Sequence, residues 1–215
     1  MLASPSTPPT VATEAAVALG KIKTAGARGV LARYLTATAA SAGTAATVGD
    51  ALLSIGRSTA RGDLAPIVRW TTSSDEELRW RATWALFRPR DPAGVATLLR
   101  MTRDRSALVR SWAVRGLTRS QADSAALGVA AERALISATR DGDRRVSTEA
   151  VRALGMYADS AAIRVLLGAL KSRDTWISVS AAEGLGRIRS SATVAQLRAA
   201  AGPNRSCALR IVAMQ

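Results

Sequence analysis

Apolar residues along the chain fall on a stripe that recurs every 31–37 residues, each time with the spacing of one helix face. The segments VRSWAVRGLT (109–118), VSTEAVRALG (146–155) and ISVSAAEGLG (177–186) are near copies of one another. Aligned on a shared leucine, they extend to a series Leu19, Leu52, Leu86, Leu117, Leu154 and Leu185, with gaps of 33, 34, 31, 37 and 31 residues. A small residue precedes each anchor, from Ala18 and Ala51 to Ala153 and Gly184. Four residues earlier stand Ala15, Val48, Ala82, Ala113, Ala150 and Ala181. Eight residues earlier stand Val11, Thr44, Leu78, Val109, Val146 and Ile177. These offsets share one side of a 3.6-residue helix, and their alanines allow close helix–helix approach.

A second apolar helix is predicted after each anchor, for example GARGVLARYLTATA after Leu19, GDLAPIVRWTTS after Leu52 and DSAAIRVLLGALKSRD after Leu154. The 37-residue gap reflects a longer second helix at 121–140. Asp75, Asp143 and Asp174 each lie three residues before the first apolar position of an anchor helix, where a carboxylate caps the N-terminus and favours the helix dipole. Gly20, Gly155 and Gly186 follow an anchor leucine directly, which suits close packing near a helix end. A two-helix unit of this size cannot bury its own face and must stack on neighbours, which predicts an all-α solenoid. Residues 1–10, with Ser-Pro and Pro-Pro steps, read as a flexible lead-in, and 11–215 as the repeat array. The segment LRIVAMQ repeats the start of an anchor helix and stops, and the first anchor helix has no partner before it, so both ends read as cut.

The segment DGDRRVSTEAVRALGMYADSAAIRVLLGALKSRD resembles a short bacterial HEAT repeat of the phycobilisome-lyase HEAT-like kind. That resemblance implies a right-handed α-solenoid of about six two-helix repeats. It covers nearly the whole chain and says little about chemistry.

Composition supports the helical reading: hydrophobic residues make up 48% of the chain but aromatics only 4%, and alanine and leucine dominate. Net charge is +14, almost wholly from arginine, which favours anionic partners such as nucleic acid, acidic proteins or anionic lipid. The plainer alternative is an arginine-rich composition spread over solvated faces. There is no histidine, so histidine-based triads and histidine metal sites are excluded. The single cysteine, Cys207, can form neither an internal disulfide nor a thiolate cluster. No catalytic residue, metal or cofactor is expected. No apolar run approaches the roughly 18 residues of a membrane span, and the N-terminus lacks the pattern of a signal peptide.

Three sets of residues are candidates for binding. Arg79, Arg110 and Arg210, seven residues before an anchor, are placed to pair with helix-start aspartates as a structural ladder; Ser147 and Ser178 stand at the matching places. Lys21, Arg88, Arg119 and Arg187, two residues after an anchor, would form a basic row along one edge. Such a row could follow a phosphate backbone or an acidic tail, or merely complement helix C-termini. Arg81 and Trp84, Trp112 and Arg115, and Glu149 and Arg152 occupy the positions that look into the concave face of a HEAT solenoid. Interleaved arginine and tryptophan make either a binding wall or a cation–π stack between adjacent repeats. Trp70, Trp80 and Trp176 fall at less regular positions and are expected to pack inside.

The leading functional expectation is a non-catalytic scaffold that binds another protein through its concave face. Resemblance raises three alternatives. One is a nucleic-acid-binding protein similar to the alkylpurine DNA glycosylases, although no acidic residue stands among Trp84, Trp112 and Arg115, and Glu149 is the nearest. Another is a phycobilin-lyase-like protein. The third is the partner-binding portion of a longer peptidyl-prolyl isomerase, because RWRATWALFRPRD is similar to the arrays that bacteria join to a cyclophilin domain. A complete chain would be expected in the cytoplasm, and a portion of such an isomerase outside it.

Overall fold

Aspartates start the helices. The Asp75 carboxylate accepts from the Glu77 amide at 2.8 Å, Asp143 from Arg145 at 2.8 Å, and Asp174 from Trp176 at 2.9 Å. Asp91 and Asp159 perform the same task for Ala93 and for Ala161 and Ala162 in the intervening elements. Each cap satisfies amides that the first turn leaves without partners, worth about 1 kcal/mol apiece.

In the computed structural model the described residues are 2, 7–39, 41–58, 62–118, 125–188, 191–202 and 206–213. They form thirteen α-helices, two short 3-10 turns and no strand. The chain divides into two compact units, Met1–Gly116 and Leu117–Gln215.

In the first unit the anchor helices α1 (Pro9–Ile22), α3 (Ala45–Arg57), α5 (Glu76–Phe87) and α7 (Ala107–Gly116) stack in that order. Their contacts run start to start and end to end. Thr13 Oγ1 meets Thr47 Oγ1 at 2.9 Å near the starts, and Gly20 lies against Ser54 nearer the ends. The anchor helices are therefore parallel. A second layer, α2 (Ala25–Ala37), α4 (Ala65–Val68) and α6 (Val95–Met101), packs against them. The second unit repeats this plan, with anchor helices α9 (Arg144–Leu154), α11 (Thr175–Ile188) and α13 (Cys207–Ala213). Its second layer is α8 (Ala125–Ala138), α10 (Ser160–Leu170) and α12 (Ser191–Ala200). Leu52, Leu86, Leu117, Leu154 and Leu185 are fully buried.

Some expectations shift. In α1 the buried stripe is Ala12, Ala16 and Gly20, while Leu19 is half-buried and Val11 is 53% exposed. The reason is the contact with α3, made through small residues rather than through a leucine. The helix also begins at Pro9, two residues inside the predicted lead-in; Met1 and residues 3–6 lie outside the described residues. The second helix predicted after Leu52 is a single α turn followed by a 3-10 turn, Arg69–Thr72. Thr71 and Thr72 donate their hydroxyls to the Val68 and Arg69 carbonyls and compete with continued helix. Trp70 is buried with its indole N–H on the Leu35 carbonyl, as expected of a packing residue. Trp176 is not buried: it stands 61% exposed in the first turn of α11, where only its backbone amide is engaged by the Asp174 cap.

Lys23 ends α1 with φ 57°, and Arg90, just beyond α5, has φ 52°. A left-handed residue commonly ends a helix, and glycine is its usual occupant because a Cβ costs about 1 kcal/mol there. Among the described residues no glycine has positive φ.

The Asp143 carboxyl is held down to about 2, first by its side-chain hydrogen bonds from Arg145 and further by the Arg145 and Val146 amides. A depressed carboxylate stabilises the fold above its ordinary value of 3.8 and loses that contribution as pH falls toward about 2. An NMR titration of Asp143 Cγ should show a midpoint near 2, moving up toward 3.8 in Arg145→Gln. A midpoint at 3.8 in the unaltered protein would show that this cap is not ionically reinforced.

Candidate functional site

On α5 the face turned away from the core carries Glu77, Arg81, Trp84 and Arg88, spaced i, i+4, i+7 and i+11. On α7 the corresponding residues are Trp112 and Arg115, one helical turn apart. All six belong to the first unit, and each has a definite partner.

Arg81 is neutralised. Its guanidinium reaches Glu77 at 3.3 Å on the same helix and Asp50 of α3 at 3.7 Å, and it lies 5.3 Å from the Trp80 ring centre. It packs across Gly49 of α3, where any side chain would collide with it. Trp84 rests on Gly56: a Cβ at that glycine would stand 2.6 Å from Trp84 Cζ3. The Arg88 guanidinium lies 5.4 Å from the Trp84 ring centre.

Trp112 sits between two aromatic residues of α5. Its ring centre is 5.8 Å from Phe87, tilted 17°, and 6.5 Å from Trp80, tilted 23°. Arg115 lies 5.3 Å from the Trp112 ring centre. Trp80 itself packs on Met101, Val109 and Ala113. The indole N–H groups of Trp80 and Trp112 are both buried with no acceptor among the described residues. Each such orphan costs about 1–3 kcal/mol. Trp80 and Phe87 were not among the residues singled out from the sequence for binding, yet they form the seat of Trp112. Their signal is an aromatic pair seven residues, or two helical turns, apart.

One of the anticipated pairs, Arg115 with Trp112, is therefore a cation–π pair; Trp84 is met by Arg88 instead, and Arg81 lies over Trp80. No ring contact joins Trp84 to Trp112. In the second unit Glu149 and Arg152 form an i,i+3 ion pair at 2.7 Å on α9. Of the basic row, Lys21 and Arg88 are exposed at the ends of α1 and α5, and Arg187 is exposed at the end of α11 beside Gly155. Arg119 lies outside the described residues.

The arginine ladder is present in part. Arg79 is buried and holds both oxygens of Asp104, at 3.0 and 3.3 Å. Arg110 donates to the Asp104 and Arg105 carbonyls, at 2.9 and 3.2 Å. Arg210 is exposed and forms no ion pair among the described residues. Arg28 is also buried, and burial pulls its pKa down against the opposing pull of Asp91 and Asp63. Among the described residues no group of three His, Cys, Asp or Glu could hold a metal, and no helix is long and apolar enough to cross a membrane.

The repeating aspartate caps, the two helical layers and the buried leucines coincide with a family match: the model for HEAT repeats covers residues 131–214. Residues 131–214 carry HEAT repeats. Solved structures extend that architecture beyond the matched segment. An engineered protein is similar over 97% of this chain and 64% of its own length, at 23% identity and a TM-score of 0.69. A designed armadillo repeat protein in complex with the peptide (KR)4 is similar over 87% of this chain and 96% of its own, at 18% identity and 0.64. The CpcE–CpcF complex of phycocyanin lyase from Nostoc sp. PCC7120 is similar over 99% and 82%, at 17% identity and 0.58. No curated protein matches the chain in sequence. These likenesses establish an α-solenoid built from helix pairs, and at such identities they speak to fold alone.

Proposed function

We propose that this HEAT-repeat chain is a non-catalytic scaffold that holds another protein against the exposed face of its anchor helices, around Trp84, Arg88, Trp112 and Arg115. The observation that carries the reading is the pair of arginine–tryptophan contacts on consecutive helices, Arg88 over Trp84 and Arg115 over Trp112. Both tryptophans are half-buried and both arginines exposed, so each pair offers a rigid apolar surface and a cation at low entropic cost. On α5 the face is held by contacts of Arg81 and Trp84 with Gly49 and Gly56 of α3, which keeps that part of its geometry ready for binding. Glu149 and Arg152, the corresponding positions of the second unit, neutralise each other as an ion pair.

The designed armadillo protein has the same layered plan and holds a basic peptide. With a net charge of +14, this chain would repel such a peptide and suits a partner of the opposite sign. The test is affinity capture from the source cell with the full chain and with Trp84→Ala/Arg115→Glu, after circular dichroism has shown the variant folded. The expected result is a protein enriched by the unaltered chain, retained after nuclease treatment and lost with the variant. Enrichment that nuclease abolishes, or that the variant leaves intact, would overturn the reading.

A further inference from the structure

The parallel anchor helices of the first unit sort their exposed charges by level. In the first halves of α1, α3 and α5 stand Glu14, Asp50 and Glu77, with Arg81 spanning the last two. At the opposite ends stand Lys21 and Lys23 on α1, Arg57 on α3, and Arg88 and Arg90 beyond α5, all exposed. None of these five cations forms an ion pair among the described residues. The two carboxylates that follow α3 and α5 are already engaged. Asp63 accepts from the Ala65 amide at 2.9 Å and Asp91 from the Ala93 amide at 3.1 Å, and both also face buried Arg28.

Two of the five cations are also the residues with left-handed backbone, Lys23 at φ 57° and Arg90 at φ 52°. Strain of this kind persists where something other than local stability holds the residue in place. Here it keeps a cation at a helix end where glycine would fit better. A cation at a helix C-terminus gains a few tenths of a kcal/mol from the dipole, which does not offset the strain.

We propose that this basic edge of the first unit binds an acidic, extended segment of the partner protein. The proposal rests on the scaffold reading and names the chemistry of one part of the partner. Neighbouring helices pack about 8–10 Å apart, so the edge from α1 to α5 is about 20 Å long. An extended peptide rises about 3.3 Å per residue, so an octapeptide is more than long enough to span it, with the side chains of one face about 6.6 Å apart along the row of cations. The edge is a single line of cations with Glu14, Asp50 and Glu77 one level away, which suits a narrow chain better than the broad phosphate surface of a duplex.

The test uses a fluorescein-labelled octapeptide of alternating Asp and Glu, with the full chain, by fluorescence anisotropy at low and physiological salt. The edge variant is Lys23→Gly/Arg57→Gln/Arg90→Gly. The control, Arg103→Gln/Arg133→Gln/Arg198→Gln, removes the same charge elsewhere. Exposed ion pairs each change affinity by up to about fivefold, so the edge variant should raise Kd roughly tenfold and the control less than twofold. The two glycine substitutions relieve strained backbone, so the urea midpoint of the edge variant should not fall, which separates lost binding from lost fold. Equal weakening by both variants would reduce the effect to net charge and overturn the proposal. So would tighter binding of single-stranded DNA of equal charge with the same dependence on the edge. If the octapeptide fails to bind while the Trp84/Arg115-dependent capture persists, only this proposal falls. If both fail, the scaffold reading falls with it.

Discussion

Replacing Arg79 with alanine should lower the unfolding free energy of the first unit by about 3–5 kcal/mol, the usual cost of leaving one buried charge without its partner. The side chains of Arg79 and Asp104 are 5% and 8% exposed. Arg79 Nε and Nη2 donate to the two Asp104 oxygens, and Nη1 donates to the Ser73 and Ser74 carbonyls, both at 3.0 Å. Asp104 in turn accepts from the Ser106 amide at 2.8 Å, and Ser106 Oγ donates to Glu76 at the start of α5, also at 2.8 Å. One guanidinium thus ties the turn before α5 to the turn before α7. Alanine would strand a carboxylate in a poorly solvated place and orphan one bond to each of two carbonyls. The pair itself is worth far less than its breakage, so Arg79→Met/Asp104→Leu should recover most of the loss. Urea unfolding of Arg79→Met, Asp104→Leu and the double closes the cycle. A loss under about 1 kcal/mol for Arg79→Ala would mean that water reaches the pair and that it behaves as a surface contact.

The same residues show how far the sequence was legible. Aspartate before an apolar stripe is a local signal, and Asp75, Asp143 and Asp174 all cap the helices they precede. The anchor leucines from Leu52 to Leu185 are buried because a 3.6-residue period and a small neighbour determine a face without reference to the rest of the fold. What depends on the neighbouring helix was not legible. The register of α1 slips by one because Gly20 and Ser54 meet across the interface, a contact no single repeat encodes. Arg81 looked like an open cation on a binding wall, but Asp50, 31 residues earlier and on the preceding helix, takes its charge. Trp112 looked like a free platform, but Trp80 and Phe87 stack against it and leave it half-buried. Trp176 was expected inside because it falls off the regular positions of the repeat, and the first turn of α11 leaves it in solvent. Side chains at the seam between two repeats are decided by both, and one repeat's pattern carries only half of that information.

Gly155 and Gly186 occupy the same place in the repeat, one residue after an anchor leucine, and alanine should have opposite effects at the two. Gly155 has helical backbone, φ −61° and ψ −6°, so alanine there meets no conformational objection. Its obstacle is steric. A Cβ on Gly155 would lie 2.6 Å from Gly184 Cα, backbone against backbone, and 3.3 Å from the Arg152 carbonyl oxygen. Neither can rotate away, so α9 and α11 must separate along a seam that also holds Leu154 and Leu185 in the core. Forced overpacking of this kind costs about 1–3 kcal/mol, and contact with backbone puts Gly155→Ala at the upper end. Gly186 lies inside α11, exposed, with nothing within 4 Å of a built Cβ. Alanine there removes only the entropy that glycine loses on becoming helical, a gain of about 0.5–1 kcal/mol. Urea titrations of the two variants should therefore move in opposite directions from the same starting curve. Because each repeat contacts only its neighbours, the Gly155→Ala loss should also show as faster amide exchange in α9 and α11 before α12 is affected. A neutral Gly155→Ala would show that these helices slide to make room, and the small-residue seam would then be a consequence of the packing rather than its cause.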